Sequence, residues 1–318
     1  MERIQSGRYD VGMLSYLHGF HAGNAADVLK HSVLIFCLDY LKKKKKPLLC
    51  VDTHAGAGFY DLSETSDPPN REWEKGIGRL LHAEEKLPPM IDAYVKFCTG
   101  TPADEKRRYI YPGSPVIMAR ELAKGDRLVC FELHPREAEA LKGSMDEVRG
   151  EGGQRPGIEV RREDGLGGLK SLLPPPSRRG LIFIDPSWEE QAEYETIPRS
   201  VQSGLKRFPE GTFIIWYPLL ALPKEKTAAP ASVGETLFGL SDGKRCRLEL
   251  CTGRAESTPQ SGSVGVPPAK NSPRGMYGSG LVIYNPPWTL KSALEEALPC
   301  LAKVLGGEGR GWRLEYEE

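Results

Sequence analysis

A run of residues suited to holding an aromatic amine follows the apolar segment GLIFI at residues 180–184. The run is Asp185-Pro186-Ser187-Trp188, so a carboxylate, a proline carbonyl and an aromatic ring stand on one tight turn after a predicted buried strand. The two oxygens can accept the two hydrogens of an exocyclic amine on a nucleobase, and the ring can stack on that base. This combination indicates amine methylation, with Asp185 and Pro186 as the catalytic pair.

A glycine turn and further acidic residues stand at the ends of other predicted strands. Asp52 opens the sequence Asp-Thr-His-Ala-Gly-Ala-Gly, which ends at Gly58 and differs from the pyrophosphate-binding G-x-G-x-x-G pattern. Glu132 ends a second strand, where a carboxylate can accept hydrogen bonds from ribose hydroxyls, and Asp164-Gly165 ends a third, where an adenine amine can bind. Each acid taken alone also fits a solvated or helix-capping carboxylate. Their order along the chain favours S-adenosylmethionine as the methyl donor.

The segments that must position these residues alternate between strands and helices. The sequence predicts strands at 48–52, 127–132, 158–162, 181–185, 212–217, 246–251, 280–285 and 311–317, and helices at 25–41, 135–148, 166–173 and 289–305. Asn24 is predicted to cap the first of these helices. An alternation of apolar strands with helices is typical of an α/β protein with a mainly parallel sheet.

One spacing is too long for a simple strand–helix–strand crossover. The glycine turn ends at Gly58, yet the next predicted sheet strand begins only near Arg127. Residues 64–110 open with a polar stretch, contain a predicted helix that starts at Pro88-Pro89, and close on Lys106, Arg107 and Arg108. We therefore predict a small inserted helical subdomain at 64–110.

The composition of the chain limits the partners, the metal sites and the cellular locations that can be expected. The 43 Lys and Arg residues balance the 43 Asp and Glu residues, so contact with a nucleic acid would depend on local patches. One candidate patch is the lysine run at 42–46, for which dipole pairing at a helix end is the alternative. The seven cysteines form no CxxC pair, which favours a reducing, cytoplasmic location and argues against structural zinc. Residues 252–279 are rich in Gly, Ser and Pro and are predicted to form a loop.

Eight sequence segments carry a resemblance to a known family. They are MLSYLHGFHAGNAADVLKH (13–31), DTHAGAG (52–58), YPGSP (111–115), ELHP (132–135), SRRGLIFIDP (177–186), WYP (216–218), RGM (274–276) and SGLVIYNPPW (279–288). Together they resemble the RlmJ family of bacterial large-subunit rRNA adenine-N6 methyltransferases. The resemblance covers essentially residues 13–318 and makes residues 1–12 an N-terminal extension.

The resemblance implies a Rossmann-like class I methyltransferase domain built from residues 13–63 and 111–318, with 64–110 inserted. It also implies a set of ligand contacts in this chain: S-adenosylmethionine at His31, His54, Ser114, Glu132, Asp164 and Gly165, and the target adenosine at Tyr16, His18, Lys30 and Trp188. Asp185 is the implied catalytic residue. The expected partner is large-subunit (23S) rRNA in a protein-poor state during ribosome assembly, and we expect a monomer with no metal and no membrane contact.

Two features complicate this interpretation. The family's catalytic run is Asp-Pro-Pro-Tyr, whereas this chain has Ser187 and Trp188 at the last two positions. A second run, Asn285-Pro286-Pro287-Trp288, fits the amine-methylase pattern more closely. It follows a late strand, however, where the methyl group of the donor should not lie, so we predict that its role is structural.

Three other functions stay open at this stage. A nicotinamide-dependent oxidoreductase could use the same sheet, although the missing third glycine opposes it. A noncatalytic RNA-binding assembly factor could retain the fold with a drifted catalytic turn, as Ser187 allows. A DNA adenine-N6 methyltransferase could share the same catalytic turn, and only the N-terminal block argues for RNA.

Overall fold

A computed structural model describes residues 21–63, 71–100, 109–153, 155–221, 228–253, 275–306 and 310–318. Within these ranges a sheet of eight strands runs in the order β10-β8-β9-β7-β6-β1-β4-β5, and β2 pairs with β3 in a separate ribbon. The strands are β1 (Leu49–Asp52), β2 (Phe59–Asp61), β3 (Ile110–Pro112), β4 (Arg127–Phe131), β5 (Gly157–Arg161), β6 (Gly180–Ile184), β7 (Thr212–Ala221), β8 (Arg245–Cys251), β9 (Gly275–Tyr284) and β10 (Gly311–Glu317). All eight predicted strands are present, but β9 begins at Gly275, so residues 275–279 of the predicted loop at 252–279 belong to a strand instead.

The helices connect and cover these strands. They are α1 (Ala25–Lys42), α2 (Glu72–Lys75), α3 (Ile77–Leu81), α4 (Pro89–Thr99), α5 (Ser114–Glu121), α6 (Pro135–Gly150), α7 (Gly165–Leu172), α8 (Glu193–Arg207), α9 (Ala228–Phe238) and α10 (Leu290–Leu305). Asn24 caps α1 as predicted, because its side chain accepts hydrogen bonds from the backbone N–H groups of Ala26 and Asp27. The sequence did not predict β2, β3, α2, α3, α5, α8 or α9.

Strand direction divides the sheet into two regions. Strands β5, β4, β1, β6 and β7 are mutually parallel, whereas β9 is antiparallel to β7 and to β8, and β8 is antiparallel to β10. The parallel strands all end at one edge, which we call the carboxyl edge, and begin at the opposite amino edge. The end of β9 lies at the amino edge, since Tyr284 pairs with Phe213 near the start of β7. The fold is α/β and Rossmann-like, as predicted.

Helix α1 is buried on nearly every side. Its residues from Ala26 to Ile35 are all buried, and it packs against α4, α5, α10 and β9. A helix that is buried around its whole circumference must lie between other layers of the fold, and the buried Asp27, Lys30, His31 and Ser32 of α1 must then find polar partners. The helices α2, α3 and α4 follow β2 in the chain, and β3 follows them, so the β2–β3 ribbon flanks the predicted inserted segment. The limits of that subdomain stay a prediction.

No helix within the described part of the chain combines the length and the apolar character that are needed to cross a bilayer.

Candidate active site

Four strand ends bring acidic residues to the carboxyl edge. Asp52 is the last residue of β1 and lies in register with Phe183 of β6 and Cys130 of β4. Asp185 follows β6 directly and Glu132 follows β4 directly, while Asp164 stands between β5 and α7. The sequence predicted this convergence because parallel strands end at the same edge.

The Asp185 carboxylate is paired with a buried lysine. The Nζ atom of Lys30 lies 2.6 Å from Asp185 Oδ2 and 2.9 Å from Asp27 Oδ1, and all three side chains are at most 10% exposed. The same ammonium lies 5.0 Å from the ring centroid of Trp216. Two buried carboxylates therefore share one cation, and Asp185 is held in place from the side of α1. A contact between Lys30 and a ligand stays a prediction.

Asp27 orients the lysine and was not found by sequence reasoning. Its Oδ2 accepts a hydrogen bond of 2.9 Å from the backbone N–H of Gly23, and its side chain is fully buried. Lys30 follows Asp27 by three residues on α1, so the two side chains lie on the same face of the helix. That spacing within the apolar helix was the available signal, because a buried aspartate requires a partner.

Trp188 is placed differently from our expectation. The predicted stacking role needs an open ring face, but the side chain is only 4% exposed. The indole N–H donates a 2.9 Å hydrogen bond to the carbonyl of Trp216, and the ring packs at 5.2 Å from the ring of Tyr194. The backbone of Trp188 has φ 56°, a left-handed conformation that turns its side chain into the protein. We therefore correct the assignment: Trp188 anchors the turn.

Glu132 joins the glycine turn to the start of the next helix. One carboxylate oxygen accepts a hydrogen bond from the N–H of Gly56 at 2.9 Å, and the other accepts one from the N–H of His134 at 2.7 Å.

Gly58 ends the glycine turn with φ 89°, and a Cβ atom there would lie 2.7 Å from the Cβ of Ser144. Glycine is required at that position by the protein's own packing, and approach of a ligand is not needed to explain it.

Asp52 is fully buried at the centre of the edge. Ser114 Oγ donates a 2.7 Å hydrogen bond to Asp52 Oδ2, and the backbone N–H of His54 donates to Oδ1 at 3.3 Å. Burial raises the pKa of Asp52 to about 7 and outweighs the hydrogen bond from Ser114, while the negative charges of Asp185 and Glu132 raise it further. Three carboxyl groups thus lie close enough at this edge for their charges to interact, and Lys30 compensates that of Asp185.

The two histidines implied as donor contacts are both held by neighbours. His54 Nδ1 lies 2.8 Å from Thr53 Oγ1, and desolvation lowers the pKa of His54 to about 4, so its ring is neutral near pH 7. His31 is 1% exposed, and its Nδ1 lies 2.7 Å from Tyr111 Oη. Tyr111 in turn lies 3.0 Å from Tyr94 Oη on α4, so the predicted insertion reaches His31 through a buried hydrogen-bond chain.

Asp164 and Gly165 begin helix α7. The Asp164 carboxylate accepts hydrogen bonds from the backbone N–H groups of Leu166 and Gly167, at 3.1 and 3.0 Å. A Cβ atom at Gly165 would lie 2.2 Å from the carbonyl oxygen of Thr53, so only glycine allows α7 to begin this close to the glycine turn. The capping alternative for Asp164 is therefore confirmed, and its contact with a donor stays a prediction.

Two predicted substrate contacts cannot be located. Tyr16 and His18 lie outside the described residues, and so does most of the predicted loop at 252–279.

The second Asx-Pro-x-Trp run lies at the amino edge. Asn285 follows β9, and its side-chain amide donates hydrogen bonds to the carbonyls of Pro209 and Gly211, both at 2.7 Å. Its φ of 49° is held by these contacts. The structural role that we predicted for this run agrees with its position, one full strand length away from Asp185.

Comparisons with known proteins find relatives over nearly the whole chain. The chain is 37% identical over 305 residues to the ribosomal RNA large subunit methyltransferase J of Haemophilus influenzae, covering 96% of this chain and 99% of the relative. It is 36% identical to the protein of the same name from Escherichia coli, covering 94% and 96%. A crystal structure of a Legionella pneumophila protein matches with a TM-score of 0.76 at 32% identity, covering 94% of this chain and 99% of that one.

The model of one protein family matches two stretches of the chain, residues 45–229 and 262–317. That family is described as ribosomal RNA large subunit methyltransferase D, RlmJ. Both stretches include parts of the sheet, and the first contains the glycine turn and Asp185. The chain therefore belongs to the RlmJ family of ribosomal RNA large-subunit methyltransferases.

Proposed function

We propose that this chain transfers a methyl group from S-adenosylmethionine to N6 of an adenine in large-subunit (23S) rRNA. The observation that carries the proposal is the Asp185 carboxylate at the end of β6, paired with the buried ammonium of Lys30 and followed by Pro186. Family membership supplies the reaction class and the rRNA substrate, and the Asp-Pro turn supplies the chemistry of an amine acceptor.

The residues of the carboxyl edge fit a cationic methyl donor. Asp52, Glu132 and Asp185 bring negative charge together, and the pKa of Asp52 is raised partly because its two neighbours repel its ionised form. S-adenosylmethionine supplies an electrophilic methyl group on a positively charged sulfur, together with an ammonium group and a ribose. We propose that Glu132 accepts hydrogen bonds from the ribose, and that His54 and Ser114 line the same pocket.

Asp185 and Pro186 prepare the nitrogen for transfer. The lone pair of adenine N6 is delocalised into the ring and is a poor nucleophile. The Asp185 carboxylate and the Pro186 carbonyl each accept one N6 hydrogen, which shifts the nitrogen toward a tetrahedral geometry with its lone pair aimed at the methyl carbon. A bound donor would supply the methyl group and its sulfur would keep the bonding electron pair, and Asp185 or solvent would take the N6 proton.

Lys30 determines which oxygen of Asp185 is used. Its ammonium contacts Oδ2, so Oδ1 is the oxygen that we assign to the substrate amine. We also propose that Tyr16 and His18 contact the target adenosine. Extruding a base costs a few kcal/mol, least for an unpaired one, which favours action on protein-poor rRNA during assembly. Such a substrate implies a cytoplasmic enzyme, and we propose that it acts as a monomer.

The decisive experiment is mass mapping of methylated adenosine in large-subunit rRNA that was transcribed without modifications. The RNA is incubated with the protein and isotopically labelled S-adenosylmethionine, and we expect one adenosine to gain the label at N6. Labelling of duplex or single-stranded DNA at a comparable rate would support the DNA methyltransferase alternative. Donor and RNA binding without any label would instead support an assembly factor in which Ser187 has weakened the catalytic turn.

A further inference from the structure

A surface groove lies at the far end of α1 from Lys30. It has a volume of about 330 Å³ and lies between the last turns of α1, the start of α4 and the start of α10. Phe36, Asp39 and Tyr40 line it from α1, Met90 lines it from α4, and Lys43 and Thr289 complete the lining. Phe36 and Lys43 follow Lys30 by 6 and 13 residues, so the groove extends from about 9 Å to about 20 Å beyond Lys30 along the helix axis, at the α-helical rise of 1.5 Å per residue.

An exposed tryptophan adjoins this groove in the chain. Trp288 directly precedes Thr289 and is 78% exposed, whereas Trp188 and Trp216 are 4% and 8% exposed. The asparagine turn that carries it is anchored by the two hydrogen bonds of Asn285 to backbone carbonyls. A large apolar ring held in solvent on a fixed turn has no packing function there, and it is suited to stacking on a flat partner.

A run of four exposed lysines begins in the groove lining, at Lys43, and continues along the chain to Lys46. Residues 43–46 are all lysine and all exposed, and Lys43 lies over the ring of Tyr40. Among the described residues they form no ion pair, in contrast to Lys42, which pairs with Asp39 and Glu121. Dipole pairing does not require them, because Arg179 already donates hydrogen bonds to the backbone carbonyls of Leu41, Lys44 and Lys46.

We propose that this groove, with Trp288 and the lysine tract at 43–46, binds a second segment of the rRNA substrate, away from the target adenine. The lysines contact phosphates, and an unpaired base stacks on Trp288, as in sequence-tolerant binding of single-stranded nucleic acids. A run of four uncompensated positive charges favours RNA over an apolar peptide. The proposal rests on the proposed function and adds a second contact region to it.

The test compares a long rRNA substrate with a short RNA that carries only the target adenosine and its immediate neighbours. Trp288→Ala and the double variant Lys44→Ala/Lys45→Ala are measured beside Trp312→Ala, which removes another exposed tryptophan on the edge strand β10. For Trp288→Ala we expect KM for the long RNA to rise about tenfold with kcat unchanged. We expect KM for the short RNA to stay at the wild-type value, and Trp312→Ala to leave both values unchanged.

Direct binding separates this proposal from the proposed function. Fluorescence anisotropy of the long RNA gives Kd without turnover, and its salt dependence should become shallower for the lysine variant, by about one unit of log Kd against log salt for each lost phosphate contact. Equal Kd values for Trp288→Ala, Trp312→Ala and wild type would overturn the proposal and leave the groove to a protein partner. Equal losses on long and short RNA would also overturn it. Absence of methylation by the wild type, with Kd still sensitive to Trp288, would overturn only the proposed function.

Discussion

Two turns of this protein share the pattern Asx-Pro-x-Trp and follow buried strands, yet they differ in every contact. The aspartate turn (residues 185–188) follows parallel strand β6, and the asparagine turn (residues 285–288) follows antiparallel strand β9. The aspartate turn therefore lies at the carboxyl edge, beside Asp52 and the glycine turn. The asparagine turn lies at the amino edge, where the parallel strands begin.

The polar and aromatic residues of the two turns have opposite roles. The Asp185 carboxylate pairs with a lysine side chain, whereas the Asn285 amide binds two backbone carbonyls. Trp188 is buried and anchors its turn, while Trp288 is almost fully in solvent. A short motif thus determines which chemical groups are present, and strand direction determines whether those groups lie where a ligand can bind. The amine-methylase pattern in this chain is closer to consensus at the turn that lacks the surrounding site.

Replacing the two polar residues gives the largest expected contrast. We expect Asp185→Ala to lower kcat at least about a thousandfold, because the substrate amine loses its charged acceptor, while donor binding is mostly kept. We expect Asn285→Ala to keep kcat but to lower the free energy of unfolding by about 1–3 kcal/mol, because two backbone carbonyls lose their donor. Single-turnover methylation assays and denaturant titrations measure the two effects. The reverse pattern would assign catalysis to the asparagine turn.

Removing the cation behind the aspartate turn should lower the stability of the whole protein. In Lys30→Met the buried carboxylates of Asp27 and Asp185 lose their shared ammonium, and we expect the free energy of unfolding to fall by about 3–5 kcal/mol. Denaturant titration measures this loss. Adding Asp27→Asn to Lys30→Met removes one of the two uncompensated charges, so the double variant should regain part of the stability. A fully additive loss would show that the ammonium is not shared.

Asp52, at the carboxyl edge, should make the free energy of unfolding depend on pH. Its pKa is about 7 in the fold against an ordinary value of 3.8, so the protonated carboxyl stabilises the fold below pH 4, and this stability is lost as the pH rises toward 7. Between pH 5 and pH 7 the loss should be about 2 kcal/mol, and it should be absent in Asp52→Asn. Denaturant titrations of both proteins across this range measure the difference. Parallel curves would contradict the assigned pKa.

Making the two turns more alike should have the smallest effect. Ser187→Pro converts the aspartate turn to the Pro-Pro sequence of the asparagine turn, and no hydrogen bond joins Ser187 to another described residue, so a proline removes no contact. We expect kcat to stay within about threefold of the wild-type value or to rise, because proline fixes φ at position 187 and leaves the turn fewer conformations other than the one that binds the amine. Steady-state kinetics with unmodified rRNA measures this change. A large loss of kcat would mean that this turn is built differently from that of its relatives.

Local signals account for most of what could be predicted. The apolar runs that became β1, β4, β5 and β6, and the cap at Asn24, depend on neighbours a few residues away. Elements that escaped prediction, such as β3 and α8, lack such signals. Strand β3 has only three residues and is formed by pairing with β2, and α8 contains Pro198 within its sequence, which argues against a helix when it is considered alone.

In the candidate site, too, local signals could be predicted and long-range contacts could not. Sequence placed Asp52, Glu132 and Asp185 at one edge, since parallel strands must end together. It could not predict that Lys30 would pair with Asp185, because 155 residues separate them and the contact depends on how α1 packs against the sheet. The burial of Trp188 was also unpredictable, since the same residue type at the same turn position is exposed at Trp288.

The sequence by itself determined the family, the α/β class and the identity of the acids at the strand ends, because these follow from motifs and local patterns. Only the tertiary structure decided which Asx-Pro turn lies in the site, which lysine compensates its charge and which tryptophan remains in solvent. The physical reason is that strand direction and helix packing are set by burial of the whole core, and no short segment carries that information.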